Sequence, residues 1–198
     1  MRRHNNNASL CIALLALIAL ALLVALAGIA HAEEPVRTAR QDALHEAADI
    51  LRGVGYSEDS EVIRALQSEW MAEQENLDII AKVIDNEADP AWCEWEHSVA
   101  VGVVVLNRVR SEWFPDTVRE VVAAPGQYLL AYTYGFSETS RLAYEAAKAA
   151  LDGDHSVPED CYWQDTRVQG VSVWKAFTVD TGWFRSTTYI CRGIPGAS

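Results

Sequence analysis

The chain has 198 residues, 50% of them hydrophobic, and a formal net charge of −12. Residues 1–32 hold two arginines and no acid, so the remainder carries 14 basic and 28 acidic residues, a net −14. Such acidity argues against a nucleic-acid partner, whose binding draws on Lys and Arg against phosphate, and against adhesion to anionic lipid heads.

Met1 to Asn7 is a polar start with Arg2 and Arg3, and an uncharged stretch from Ala8 to Ala32 follows. It ends Ala30-His31-Ala32, with small residues at −3 and −1 relative to a cut before Glu33, the layout of a secretory signal peptide. The 23 uncharged residues from Ala8 to Ala30 are also enough to cross a bilayer. Residues 1–32 therefore read as a signal peptide or an N-terminal membrane anchor, with residues 8–30 as the tether. Both readings put Glu33 onward outside the cytoplasm. Of the four cysteines, Cys11 lies in the export stretch, leaving Cys93, Cys161 and Cys191. A Cys161–Cys191 bridge and small buried thiols are the two readings, and without a CxxC pair a zinc site has little support.

Residues 33–75 read as a helical N-terminal segment of two amphipathic helices. The first carries Ala43, Ala47, Ile50 and Leu51 and ends at Gly53-Val54-Gly55. The second follows Ser57 and carries Val62, Ile63, Leu66, Trp70 and Met71. A separate helix is expected from about Leu77 to Ala88, with Asn76 as N-cap and Ile80, Val83, Ile84 and Ala88 on its apolar face. Asp89-Pro90 stops it. The next helix, about 96–112, is almost unbroken apolar from Val99 to Leu106 and should be central. A short helix ending near Ala124, a turn at Pro125-Gly126-Gln127-Tyr128, and an Ala-rich helix from about Glu138 to Asp152 closed by Gly153 follow. Beyond Pro158 three β-branched and aromatic runs, at Cys161–Gln164, Val171–Phe177 and Ser186–Cys191, predict one small antiparallel sheet. The fold class is α+β, a helical body with a small C-terminal sheet.

Glu87 is the residue with catalytic potential. It follows Val83 by four and Ile80 by seven, on the apolar face and in the last helical turn. Desolvation and the negative end of the helix both disfavour its ionisation. A carboxyl that keeps its proton near neutrality is what a glycosidic general acid requires. A glutamate at a helix end that simply reaches solvent is the plain alternative. His45, His97 and His155 are isolated, so no metal site is expected, and no nucleophile-elbow or nucleotide motif is present.

Four motifs in order carry a resemblance: Glu87-Ala88, Val105-Leu106-Asn107-Arg108-Val109, Phe114-Pro115-Asp116-Thr117 and Pro125-Gly126-Gln127-Tyr128. Residues 77–128 resemble the cell wall hydrolase family of spore-cortex lytic enzymes (SleB-type), and a looser likeness continues to about Cys191. The resemblance implies a lysozyme-like helical core with a sheet beside the cleft, residues 76–198 as the catalytic domain, and Glu87 as the acid. It implies an exported enzyme of the cell wall or spore envelope, acting on peptidoglycan glycan strands of spore cortex (in germination or sporulation) or vegetative wall. The chain departs from the family at Asn86, where Gly is usual, and at Asp89-Pro90-Ala91-Trp92, where a Gly-Glu pair is usual, so the loop near the acid is remodelled.

Gln127, Tyr128 and Gln164 are the candidate sugar-binding residues, because amides and aromatic faces suit pyranose rings. Asn107 and Arg108, in the buried helix, are expected to tie it to neighbouring backbone. Glu94, Glu96 and Asp180 are weak candidates for a second carboxyl. A single acid suits a lytic transglycosylase, in which the 6-hydroxyl of muramic acid replaces water. A hydrolysing muramidase and a catalytically silent wall-binding or spore-assembly protein are the alternatives. The expectation is thus a monomer with no cofactor and the glycan strand as its partner.

Overall fold

A computed structural model describes residues 35–128, 138–153 and 155–196. The expected signal or anchor segment, residues 1–32, lies outside the described residues, and Val36 onward forms one compact unit. Its described residues contain five helices, α1 (Ala39–Gly53), α2 (Glu61–Glu87), α3 (Trp95–Val109), α4 (Val118–Ala123) and α5 (Arg141–Asp152). Three strands follow, β1 (Cys161–Asp165), β2 (Ser172–Asp180) and β3 (Arg185–Arg192), so the fold is α+β. The sheet is antiparallel with the order β1-β3-β2. Its register pairs Gln164 with Ile190 and Phe177 with Thr188.

Local signals set several helix ends, and the expected close at Gly153 is among them. Thr38 and Gln41 form a reciprocal capping box on α1, Ser60 caps α2, and Ser140 caps α5. Gly153 closes α5 in the left-handed region at φ 77°. The expected break at Asn76 does not occur. Residues 61–87 form one 27-residue helix, and Asn76 lies inside it. An interior Asn costs only a fraction of a kcal/mol, roughly 0.7 or less. No Gly or Pro interrupts the span, and the buried positions Ile63, Glu73, Leu77, Ile80 and Ile84 run through it at helical spacing. The expected junction between residues 75 and 76 therefore falls mid-helix. Two face assignments also differ. Ile50 is exposed on α1, which buries Gln41 and Ala48, and Val62 and Met71 are exposed on α2.

Helix α3 is the centre of the core, buried at every residue from His97 to Arg108. It packs against α2, α5 and β1. Gly102 permits this approach, since a Cβ there would lie 3.0 Å from Ala150 Cβ and from Ile80 Cγ2. Cys93, Cys161 and Cys191 are free thiols, the last two buried, so the buried-thiol reading holds and the bridge does not form.

The sheet is seated on α3 through His97, whose ring stacks on Phe177 with centroids 4.7 Å apart and planes 5° from parallel. Neither His97 nitrogen has a hydrogen-bond partner among the described residues. Burial lowers its pKa to about 4, so the folded protein holds it neutral. The unfolded chain takes up this proton near pH 6.5 and the folded chain only near 4. Stability attributable to His97 is thus complete above about pH 6.5 and falls between 6.5 and 4, by roughly 3 kcal/mol at about 1.4 kcal/mol per pH unit. Urea unfolding of the wild type and His97→Phe at pH 7 and pH 4.5 checks this. The wild type should lose markedly more stability than the variant on acidification.

Candidate active site

Glu87 is the last residue of α2, with Ala88 as the C-cap. The end of the helix is held by Ser98, whose hydroxyl donates to the Ala88 carbonyl at 2.6 Å. Upstream, Asp85 accepts from the Ser140 hydroxyl at 2.7 Å and anchors α5 to the same turn. The Glu87 side chain is exposed by surface area, yet it forms part of the wall of a cavity of about 270 Å³. Walls of protein on several sides remove bulk water without closing the mouth. This desolvation raises the Glu87 pKa above the ordinary glutamate value, and the Asp165 charge raises it further.

The same cavity is lined by Gln127, Tyr128 and Gln164, so the four residues singled out from the sequence meet in one place. Arg108, Gly126, Asp165, Thr166 and Gln169 complete the lining. The Tyr128 hydroxyl and the Gln164 Oε1 are buried with no hydrogen-bond partner among the described residues. Buried polar atoms normally have partners, so these two are available to a ligand or to water. Burial raises the Tyr128 pKa, against the nearby Arg108 charge, so the phenol stays protonated.

Arg108 organises this side of the cavity. It is buried, and its Nε donates to the Tyr162 carbonyl at 2.6 Å. One of its terminal nitrogens donates to Gln127 Oε1, fixing that amide at the mouth. The guanidinium lies 5.3 to 5.7 Å from the ring centroids of Phe114, Tyr128 and Trp163. The Phe-Pro turn and the Pro-Gly-Gln-Tyr turn thus converge on one cation. Asn107 has the tying role expected of it, donating to the Pro158 carbonyl at 2.9 Å and the Cys161 carbonyl at 3.1 Å.

None of the acids weighed as a second carboxyl lines this cavity. Glu94 is the uncapped N-cap position of α3, Glu96 pairs with Lys175, and Asp180 accepts from the Gly182 amide in the β2–β3 turn. The second carboxyl of the cavity is Asp165, which sequence reasoning passed over. The signal was slight: a polar Gln-Asp pair ending an otherwise aromatic strand. Burial tends to raise its pKa, but hydrogen bonds from the Arg167 amide and the Thr166 hydroxyl, with the Arg167 charge, outweigh this and hold it below the usual aspartate range.

The fold and this cleft define an α+β protein with two carboxyl groups in unlike environments beside amide and aromatic groups. Residues 94–189 match the family model described as Cell Wall Hydrolase, and this match supports a hydrolase acting on peptidoglycan. Neither the curated proteins nor the solved structures give a match. The matched stretch runs from the residue before α3 into β3, and Glu87 stands upstream of it, at the end of α2.

Proposed function

We propose that the protein is an exported enzyme of the lysozyme-like superfamily that cleaves the N-acetylmuramic acid–N-acetylglucosamine bond of peptidoglycan, with Glu87 as general acid and acting as a lytic transglycosylase. The observation that carries this reading is the desolvated Glu87 carboxyl, which shares one polar cavity with Gln127, Tyr128 and Gln164. Glu87 gives its proton to the bridging oxygen as the bond from the anomeric carbon breaks, and the bonding pair leaves with that oxygen. The muramic 6-hydroxyl oxygen then closes on the anomeric carbon, and its proton returns to the Glu87 carboxylate. No water is consumed, and the product is a 1,6-anhydro sugar. The Tyr128 hydroxyl and Gln164 Oε1, a donor and an acceptor without partners, bind the sugar, and Gln127 holds it from the mouth.

Export is supported by Arg2 and Arg3, the uncharged stretch to Ala32 and the Ala30-His31-Ala32 end, whether cleaved or kept as a tether. A hydrolysing muramidase is the second reading, favoured by Asp165, because paired carboxyl groups serve water-consuming glycosidases. Digestion of purified sacculi, from spore cortex and from vegetative wall, followed by mass analysis of the fragments tests both. Anhydromuramic ends are expected. Reducing muramic ends alone would establish the hydrolytic reading, and no released glycan from either material would end the enzymatic one.

A further inference from the structure

The reaction as drawn uses one of the two carboxyl groups in the cavity. The other is built in with care. Asp165 ends β1, and its Oδ1 accepts from the Arg167 amide at 3.0 Å and the Thr166 hydroxyl at 3.2 Å. Its Oδ2 accepts from Gln169 Nε2 at 2.5 Å. Three donors on two oxygens fix its orientation and favour its charged form. The loop that supplies them is clamped in turn. Gly170 sits at φ +72°, where a Cβ would lie 2.6 Å from the Arg192 carbonyl oxygen and 2.7 Å from Trp163 Cδ1. Val171 donates to that same Arg192 carbonyl at 2.7 Å, and Trp163 Nε1 donates to the Gly193 carbonyl at 2.7 Å. Both ends of the 166–170 loop are therefore bound to the sheet.

We propose that Asp165 is the second catalytic carboxyl of this site, an ionised group that stabilises the positive charge developing on the anomeric carbon while the bridging oxygen takes the Glu87 proton. This rests on the acid role of Glu87 proposed above. Asp165 forms no bond and carries no proton. The electron pair of the breaking bond goes to the leaving oxygen, and the cation left behind is neutralised by the incoming hydroxyl oxygen. Pairs of carboxyl groups held in unlike environments commonly divide acid and anion roles in this way. The other ionisable groups facing Glu87 serve differently. Arg108, from α3, is directed to Gln127 and the Tyr162 carbonyl, and the Tyr128 phenol is buried and protonated.

The test uses the full chain on purified sacculi, comparing Asp165→Asn and Asp165→Glu with Glu87→Gln. Asp165→Asn retains an acceptor for the Arg167 amide and should lose roughly 10²-fold in kcat with KM little changed. Its alkaline limb should move to lower pH, because the neighbouring charge that opposes ionisation of Glu87 is gone. Asp165→Glu keeps the charge and should hold the limb near its wild-type position. Limb position does not depend on the fraction of folded enzyme, so partial destabilisation leaves it readable. An Asp165→Asn variant within about threefold of wild type, well short of losing a catalytic electrostatic contact, would overturn the role of Asp165, as would an unshifted limb. Either result alongside an inactive Glu87→Gln leaves the acid intact, whereas an active Glu87→Gln removes the acid and this assignment together.

Discussion

Glu87→Gln should abolish the loss of turbidity of purified sacculi while leaving their binding intact. A general acid typically contributes about 10²–10⁴-fold, and the amide has the shape of the acid without its transferable proton. The pH profile of the wild type carries the same information. The acid must be protonated in the free enzyme, so kcat/KM falls as pH rises through the Glu87 pKa. Burial and then Asp165 raise that pKa, so the limb should lie above the ordinary glutamate value of 4.5. Linkage adds a control. A carboxyl whose folded pKa is raised supports the fold below its unfolded pKa and loses that support as pH rises through the folded value. Above that folded value the wild type bears an ionised, partly desolvated group that the variant lacks, and below it the acid is protonated and the desolvation of its charged form costs nothing. Glu87→Gln should be no less stable than the wild type at pH 7 by thermal unfolding, and an inactive variant that had also unfolded would not support the acid.

The largest loss of stability is expected at Arg108. Arg108→Met removes donors from the Tyr162 carbonyl and from Gln127, and it takes the cation from three aromatic rings. Hydrogen bonds to charged groups contribute about 1.5–3 kcal/mol, and cation–π contacts about 0.5–2 kcal/mol. These overlap at a shared group, so a loss of about 3–5 kcal/mol is expected, read as a lower urea midpoint at unchanged slope. Arg108→Lys should recover little, because an ammonium cannot reproduce the planar fork that spans two acceptors and stacks on rings. In whatever fraction of Arg108→Lys remains folded, KM should rise more than kcat falls, since Gln127 is released from its anchor while Glu87, on α2, is not.

The position of Glu87 was legible because helical spacing is a local property. Ile80, Val83 and Ile84 mark one face, and the Asp89-Pro90 step sets the end. Gln127 and Tyr128 were legible only in company, in an ordered motif that resembles a family, and Gln164 only through the looser likeness beyond it. Asp165 was not, because what brings it to Glu87 is tertiary: the sheet docks on α3 through His97 and Phe177, and no local pattern records which strand end faces the cavity. The continuity of α2 was missed for the opposite reason. Asn76 after Glu75 looks like a cap, but the weak preference of one residue yields to an unbroken buried stripe on either side. The role of Arg108 was half visible. Its tie to backbone followed from burial, whereas its hold on Gln127 needed the fold to bring the turn after α4 against α3.

The unbroken α2 makes the acid and the N-terminal hairpin a single lever about 40 Å long. The far end is bolted to α1, where Thr38 donates to Glu73 and Gln41 to Gln74, and α1 is bolted in turn to α5 through the Ala39 amide and Asp152. A trimmed fragment beginning at the matched residue 94 would keep Gln127, Tyr128 and Gln164 of the cavity lining and lose Glu87. One beginning at residue 76 would sever the rod that carries it. The smallest portable unit of this fold therefore starts near Val36, well ahead of the stretch that matches the family model.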